Sequence, residues 1–346
     1  MTAIPAHQIV LDVSTDDDER SALRAAAAAS IELDVQLVVV GPERDTWRAL
    51  RTVAHDAERI RVLHAPPSAA GISSHDQAVL AGLGFLRDHP STTLISASPT
   101  SLLVRRAREI LEPLPTVKQP ALAAVVPTLT GHGRRNDPFA LLLDVGATVK
   151  CSDGDLVRFA TMGAAYARLI SANERPRLGI LAGGHTAQHW PKRVRQADQW
   201  LAGTTGPFEY VGVVRADEVT RGLVDVVITD GFTGDVLLRT LEGVAVSAEA
   251  LVDRAREKWR FRMGFSMLGG PMERLRELAD WENYGGTPLL GFRRSIIVTH
   301  QRSTRRSFYN AIRLAQKVHR LQLLQQLDTQ LLAAESHRPA DLMARA

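Results

Sequence analysis

Residues 225–243, DVVITDGFTGDVLLRTLEG, constrain this chain more than any other stretch. Val226, Val227 and Ile228 form a short β-branched run, the pattern of a strand covered on both faces. Val236, Leu237, Leu241 and Val244 then fall on one apolar helical stripe. Between them lies Thr229-Asp230-Gly231-Phe232-Thr233-Gly234-Asp235, two glycines in a turn at the carboxyl end of a strand. Open α/β sheets place ligands at such turns, where N–H groups of the following helix hold an anion. An ordinary strand-to-helix turn with Asp235 as N-cap has the same spacing.

The rest of the chain repeats that strand-helix rhythm. Strands are expected at residues 9–13, 35–40, 60–64, 93–97, 121–127, 140–145, 177–181, 210–214 and 295–299. Helices are expected at 21–30, 45–57, 77–88, 102–111, 155–170 and 245–263, with a leucine-striped helix at about 307–334. A fold of α/β class follows. The turn at 14–19 is acidic and lacks glycine, so it repels phosphate while suiting the alanine-rich helix behind it. Ser96, Ser98 and Thr100 lie in a hydroxyl-rich turn before a helix, able to hold a phosphate or simply to cap. Gly183-Gly184-His185 opens the turn after the strand at 177–181, and Pro191-Lys192-Arg193-Val194-Arg195 starts a basic helix. His185 and His189 are four apart, but no zincin glutamate or third ligand accompanies them, so no metal site is assigned. Cys151 has no histidine predictably paired with it and reads as a buried, inert thiol.

With 346 residues, 45% hydrophobic and 23% charged, the chain can bury one large or two intertwined α/β units. A single cysteine excludes a disulfide framework and fits a cytoplasmic protein. No basic-then-apolar leader opens the sequence and no apolar run is long enough to span a bilayer, so membrane contact would be peripheral. A net charge of +4 suits an acidic partner. Basic patches are scattered without aromatic stacking sets, which argues against nucleic acid, and no G-x-G-x-x-G or P-loop is present. Trp259, Phe261, Phe265, Met267 and Leu268 lie among basic residues near a helix break. They suit either an interfacial tip for anionic lipid or a helical hairpin (about 250–280) at an oligomer interface.

Four ordered stretches carry a further resemblance: LLDVGA at 142–147, FATMGAAYA after Cys151, DVVITDGFTGDVLLRTLEG, and YGGTPLLG followed by a strand and His300. Together they resemble the PlsX family, the phosphate acyltransferases of bacterial phospholipid synthesis. The likeness implies a three-layer α/β/α sandwich similar to isocitrate dehydrogenase and phosphotransacetylase. It implies one domain over residues 1–335 with two intertwined subdomains, and a frayed tail at 336–346. It also implies a homodimer, peripheral membrane association, acyl carrier protein as partner, and no metal or organic cofactor. The reaction implied is acyl-carrier thioester plus inorganic phosphate giving acyl phosphate and free carrier.

The resemblance casts His189, Lys192 and Asp235 as catalytic residues. It places Asp12, Ser96, Ser98, Thr100, Asp144, Gly146, Gly183, Gly184, Asp230, Gly231, Thr233, Gly234, Gly285, Gly286 and His300 around phosphate and acyl group. Several anion-loop residues depart from the family pattern: the D-A-M-G-G-D motif keeps only Asp12, A-G-N-T-G-A has become Ala97-Ser98-Pro99-Thr100-Ser101-Leu102, and the asparagine of G-F-x-G-N is Asp235. Transfer to phosphate, transfer to another acceptor, and a non-catalytic carrier- or membrane-binding role are therefore the three expectations.

Overall fold

The computed structural model describes residues 7–12, 20–66, 73–132, 137–184, 186–256, 285–300 and 303–336. His185, the acidic turn at 14–19 and the residues Trp259 to Leu268 lie outside them.

The first half alternates β1 (Gln8–Asp12), α1 (Ser21–Glu32), β2 (Gln36–Gly41), α2 (Glu43–Leu50), β3 (Ile60–His64), α3 (Ser74–Asp88), β4 (Thr92–Ser96) and α4 (Thr100–Ile110). The hairpin β5 (Ala121–His132) and β6 (Asp137–Leu143) carries the chain into the second half. There follow α5 (Asp153–Ile170), β7 (Arg177–Leu181), α6 (Lys192–Ala202), β8 (Glu209–Val214), α7 (Ala216–Thr220), β9 (Val226–Ile228) and α8 (Gly231–Arg256). The chain then re-enters the first half through β10 (Thr287–Leu290) and β11 (Ser295–Val298), and ends in α9 (Arg305–Arg320) and α10 (Leu323–Ser336).

The eleven strands among the described residues join one sheet in the order β3-β2-β1-β4-β11-β10-β5-β6-β9-β7-β8. β3, β2, β1, β4 and β11 are mutually parallel, as are β6, β9, β7 and β8. The antiparallel pairings of β10 and β5 between them reverse direction, so the two parallel blocks run opposite ways. Strand alternation builds a layer on each face. Ile9 and Leu11 pack with α1 and α9, while Val10 packs with α3 and α4. In the second half Leu141 and Leu143 face α5, α6 and α10, and Leu142 faces α8. This is a three-layer α/β/α sandwich whose halves interlock, because β10, β11 and α9 complete the first half from the far end of the sequence.

Local chemistry accounts for several boundaries. Ser152 and Asp155 form a reciprocal capping box at the start of α5. Consecutive alanines let α1 lie close against α9 and the sheet. The C-terminal helix expected at 307–334 is two helices, because Gln322 adopts a left-handed φ of 52° and breaks the ladder. Leu327 and Leu331 of the leucine stripe are buried in the body. Conversely α8 runs unbroken through the expected boundary at 244–245. Its core-facing residues are Leu237, Leu238 and Leu241, while Val236 and Val244 face outward.

Candidate active site

Opposed strand directions divide the sequence-derived residues into two groups. The carboxyl ends of β1, β4 and β11 carry Asp12, Ser96, Ser98, Thr100 and His300, with Gly285 and Gly286 alongside. Those of β6, β7 and β9 carry Asp144, Gly146, Gly183, Gly184, His189, Lys192, Asp230, Gly231, Thr233, Gly234 and Asp235. Strand register places the two sets at opposite edges of the sheet.

In the first group a carboxylate and its hydroxyls satisfy one another. Asp12 is fully buried, and its Oδ2 accepts from Ser96 Oγ at 2.8 Å and Ser98 Oγ at 2.6 Å. The Ser98 amide in turn donates to Ser96 Oγ at 3.2 Å. Gly285 and Gly286 serve close packing: a Cβ at Gly285 would lie 2.6 Å from the Asn310 carbonyl of α9, and both have positive φ. His300 is exposed, and its carbonyl accepts the Ser303 amide at 2.9 Å.

The second group is assembled around Asp144. Its Oδ1 accepts the amides of Leu122 and Ala147 at 2.8 and 3.0 Å; its Oδ2 accepts the Thr148 amide and hydroxyl at 2.8 and 2.9 Å. Burial pushes this carboxyl up and the four donors oppose that shift. The start of α8 lies directly on the loop so formed. A Cβ at Gly231 would sit 2.1 Å from the Thr148 carbonyl oxygen, and one at Gly234 1.9 Å from that of Asp144. Both glycines of the turn are therefore required for the approach of backbone to backbone.

Asp230, not Asp235, caps α8. Its Oδ1 accepts the Thr233 amide at 2.9 Å, so the helix begins earlier than an Asp235 cap would allow. Asp235 lies within the helix, beside Gly146, and pairs with Arg239 at 3.3 Å. Its charge at the rim is offset by that guanidinium.

Arg193 reaches the strand tip. Its Nη2 donates to Asp230 Oδ2 at 2.8 Å, while its Nε is buried with no hydrogen-bond partner among the described residues. Burial would raise the Asp230 carboxyl, but the Thr233 amide, Arg193 and the Thr233 hydroxyl together hold it below the usual carboxylate range. His189 and Lys192 are exposed at the rim; His189 Nδ1 lies 2.8 Å from Thr186 Oγ1, and its Cβ fills the space beside Gly184. Helical phase could have singled out Arg193: it lines up with the buried Ala197 and Trp200, whereas Lys192 lines up with the less buried Gln196 and Gln199.

Cys151 adjoins the same cluster, half-buried. Burial, followed by the Asp230 charge, pushes its thiol up to about 12, so it is protonated at neutral pH and unsuited to nucleophilic attack.

Comparison with known proteins identifies the lineage of this arrangement. The family described as "Fatty acid synthesis protein" matches residues 8–326. The chain is 31% identical to the phosphate acyltransferase of Acidobacterium capsulatum, over 95% of this chain and 98% of that protein. The chain belongs to the PlsX family of phosphate acyltransferases. Phosphate acyltransferase from Myxococcus xanthus is 34% identical over 75% of this chain and 72% of its own length. Among solved structures, a phosphotransacetylase from Streptococcus pyogenes superposes with a TM-score of 0.56 at 12% identity, covering 94% of each chain. A branched-chain phosphotransacylase from Enterococcus faecalis gives 0.54 at 12% identity over 90% of this chain and 98% of that one. These neighbours share the fold of this PlsX-family chain.

Proposed function

We propose that this chain transfers an acyl group from an acyl-carrier protein thioester to inorganic phosphate. The observation that carries the reading is Arg193: a partly exposed guanidinium braced by Asp230 at the start of a 26-residue helix. A tetrahedral oxyanion pairs with the exposed edge of such a guanidinium, and the positive end of α8 favours the same charge.

In the reaction, a phosphate oxygen bonds to the thioester carbonyl carbon and the carbon–sulfur bond breaks. The carrier thiolate leaves and takes up a proton. His189 or Lys192, both exposed at the rim, assists that departure with a proton or a positive field. Asp235 stands at the mouth beside Gly146, its charge answered by Arg239. Phosphate binds on the Arg193 side, and the acyl group approaches past Gly146 and Gly183. The acidic carrier docks on the basic surface that begins at α6. The enzyme works as a homodimer at an anionic membrane surface in lipid synthesis; among the described residues no helix is long and apolar enough to cross a membrane.

The test is incubation of the purified chain with acyl-carrier thioester and phosphate, trapping acyl phosphate with hydroxylamine and counting released thiol. Phosphate-dependent hydroxamate formation is expected, with Arg193→Gln lowering it by about 10–100-fold. Absence of both products overturns the proposal. The carboxylate at Asp235, where the family carries a neutral amide, favours a second reading in which another acceptor replaces phosphate. It requires thiol release that ignores phosphate and responds to the added acceptor. Carrier binding without any turnover would leave only a docking role.

A further inference from the structure

We propose that a groove beside α9 is a second anion site, shaped for a phosphorylated small molecule with two anionic groups, with Arg313 and Arg320 as its cationic ends. The groove has a volume of about 560 Å³, within the range of small-molecule sites. No residue of the 144–152, 182–193 or 229–235 loops lines it, so it is separate from the candidate active site.

Arg313, Lys317 and Arg320 fall at i, i+4 and i+7 along α9, all lining the groove. Arg313 and Arg320 are seven residues apart, a rise of roughly 10 Å, and neither forms an ion pair with a described residue. Lys317 between them is anchored, its Nζ donating to the Ile170 carbonyl at 2.6 Å, and adds positive field to the middle of the row. Asp34 is the one acid among the described lining residues, and its carboxylate faces Arg59 at 3.6 Å.

Two stacked imidazoles, His7 and His319, complete the lining, with ring centroids 4.0 Å apart and planes within 6°. His7 Nε2 lies 3.0 Å from Thr93 Oγ1. Burial, aided by the His319 charge, lowers His7 to about 3, and burial lowers His319 as well. Neutral rings leave the positive charge of the groove to its arginines and lysine. A single phosphate meets one end of the row; a diphosphate, or two phosphates on one small scaffold, spans more of it. That length selects the ligand class.

The experiment is calorimetric titration of the full chain with inorganic pyrophosphate and with orthophosphate at about 0.15 M salt. It is repeated in Arg193→Gln, in Arg313→Gln/Arg320→Gln, and in all three together. Exposed Arg313 and Arg320 leave the fold intact when replaced, which thermal unfolding checks. Pyrophosphate is expected to bind the Arg193→Gln chain about tenfold or more tighter than orthophosphate does, with the combined variant losing at least about tenfold. Equal affinity for the two anions, or pyrophosphate affinity unchanged by the Arg313 and Arg320 substitutions, overturns the proposal. Loss caused by Arg193→Gln alone also overturns it, by placing the anion in the active site. Failure of acyl transfer bears on Arg193 and leaves the groove result standing.

Discussion

Two buried carboxylates, Asp12 and Asp144, sit at the carboxyl ends of parallel strands in the two halves of the sheet, and both are fully enclosed. The donors that reach Asp12 Oδ2 differ in kind from those of Asp144. Asp12 is held by the hydroxyls of Ser96 and Ser98, which can rotate. Asp144 is held by three backbone amides and one hydroxyl, and two glycines of α8 press onto its loop. A guanidinium that pairs with Asp230 stands at the same strand tip in the second half. The first arrangement tolerates change in its parts; the second fixes a backbone surface on which an anion site can be built.

The largest effect falls where backbone meets backbone. Gly234→Ala forces a methyl to within 1.9 Å of the Asp144 carbonyl oxygen, and neither partner is a flexible side chain. A loss of at least about 3 kcal/mol is expected, read from urea unfolding or as failure to accumulate soluble protein. Gly82→Ala in the first half meets the tip of Leu94 at 3.0 Å and Val10 at an ordinary 3.8 Å, and should cost far less. Similar losses at both sites would erase the contrast between the halves.

Replacing each acid by its amide tests the donors directly. Asn at position 144 must point an NH2 at N–H groups that cannot turn away, costing about 2–4 kcal/mol. Asn at position 12 meets hydroxyls that can turn to accept, costing about 1–2 kcal/mol. Chemical denaturation of Asp144→Asn and Asp12→Asn at neutral pH measures the difference; a larger penalty at position 12 would invert the comparison.

The sequence carried the layering well, because two-residue alternation in the strands and the glycine pair at Gly231 and Gly234 are local signals. The PlsX-like stretches added the expectation of two intertwined subdomains, while the order of the strands came from the structure. Less of the site was legible. Ser96 and Ser98 have the hydroxyl chemistry of a phosphate loop, yet their hydroxyls serve Asp12, a residue more than eighty positions away. Gly285 and Gly286 read as a loop near a ligand, but Gly285 makes room for the Asn310 carbonyl of a later helix. Arg193 was hidden among Lys192 and Arg195 until the buried side of α6 separated them. Long-range partners decide such roles, and spacing within one segment does not encode them.

Acid separates the two carboxylates of the second half by the sign of their response. Asp230 is lowered in the folded chain, so its contribution is complete above the unfolded carboxylate pKa of about 3.9 and is lost as pH falls through the folded value. Asp144 is raised, so its contribution declines as pH rises from the unfolded value through the folded one. The Asp230→Asn penalty, about 1 kcal/mol at pH 7, should therefore shrink below about pH 4, while the Asp144→Asn penalty widens as pH falls through the folded value of Asp144. Urea unfolding of both variants from pH 7 to 3.5 decides it. Parallel trends would mean that the two acids share one environment.

The smallest expected change sharpens the same contrast with the opposite sign. Gly84 lies inside α3, and a Cβ there meets nothing within 4 Å. Alanine at this position keeps helical backbone, restricts the unfolded chain and adds no clash, so a gain of about 0.4–1 kcal/mol is expected. Gly163 inside α5 is also helical, but its Cβ would lie 2.6 Å from Val226 Cγ1 at the start of β9. Gly163→Ala should be destabilising where Gly84→Ala stabilises, as read by thermal unfolding. Helix propensity is the same in both substitutions, so opposite signs isolate the close helix-to-sheet contact in the half that carries the candidate site. Equal gains would show that α5 can lift off β9 without loss, and would remove tight packing as the reason the Asp144 loop and the start of α8 hold their places.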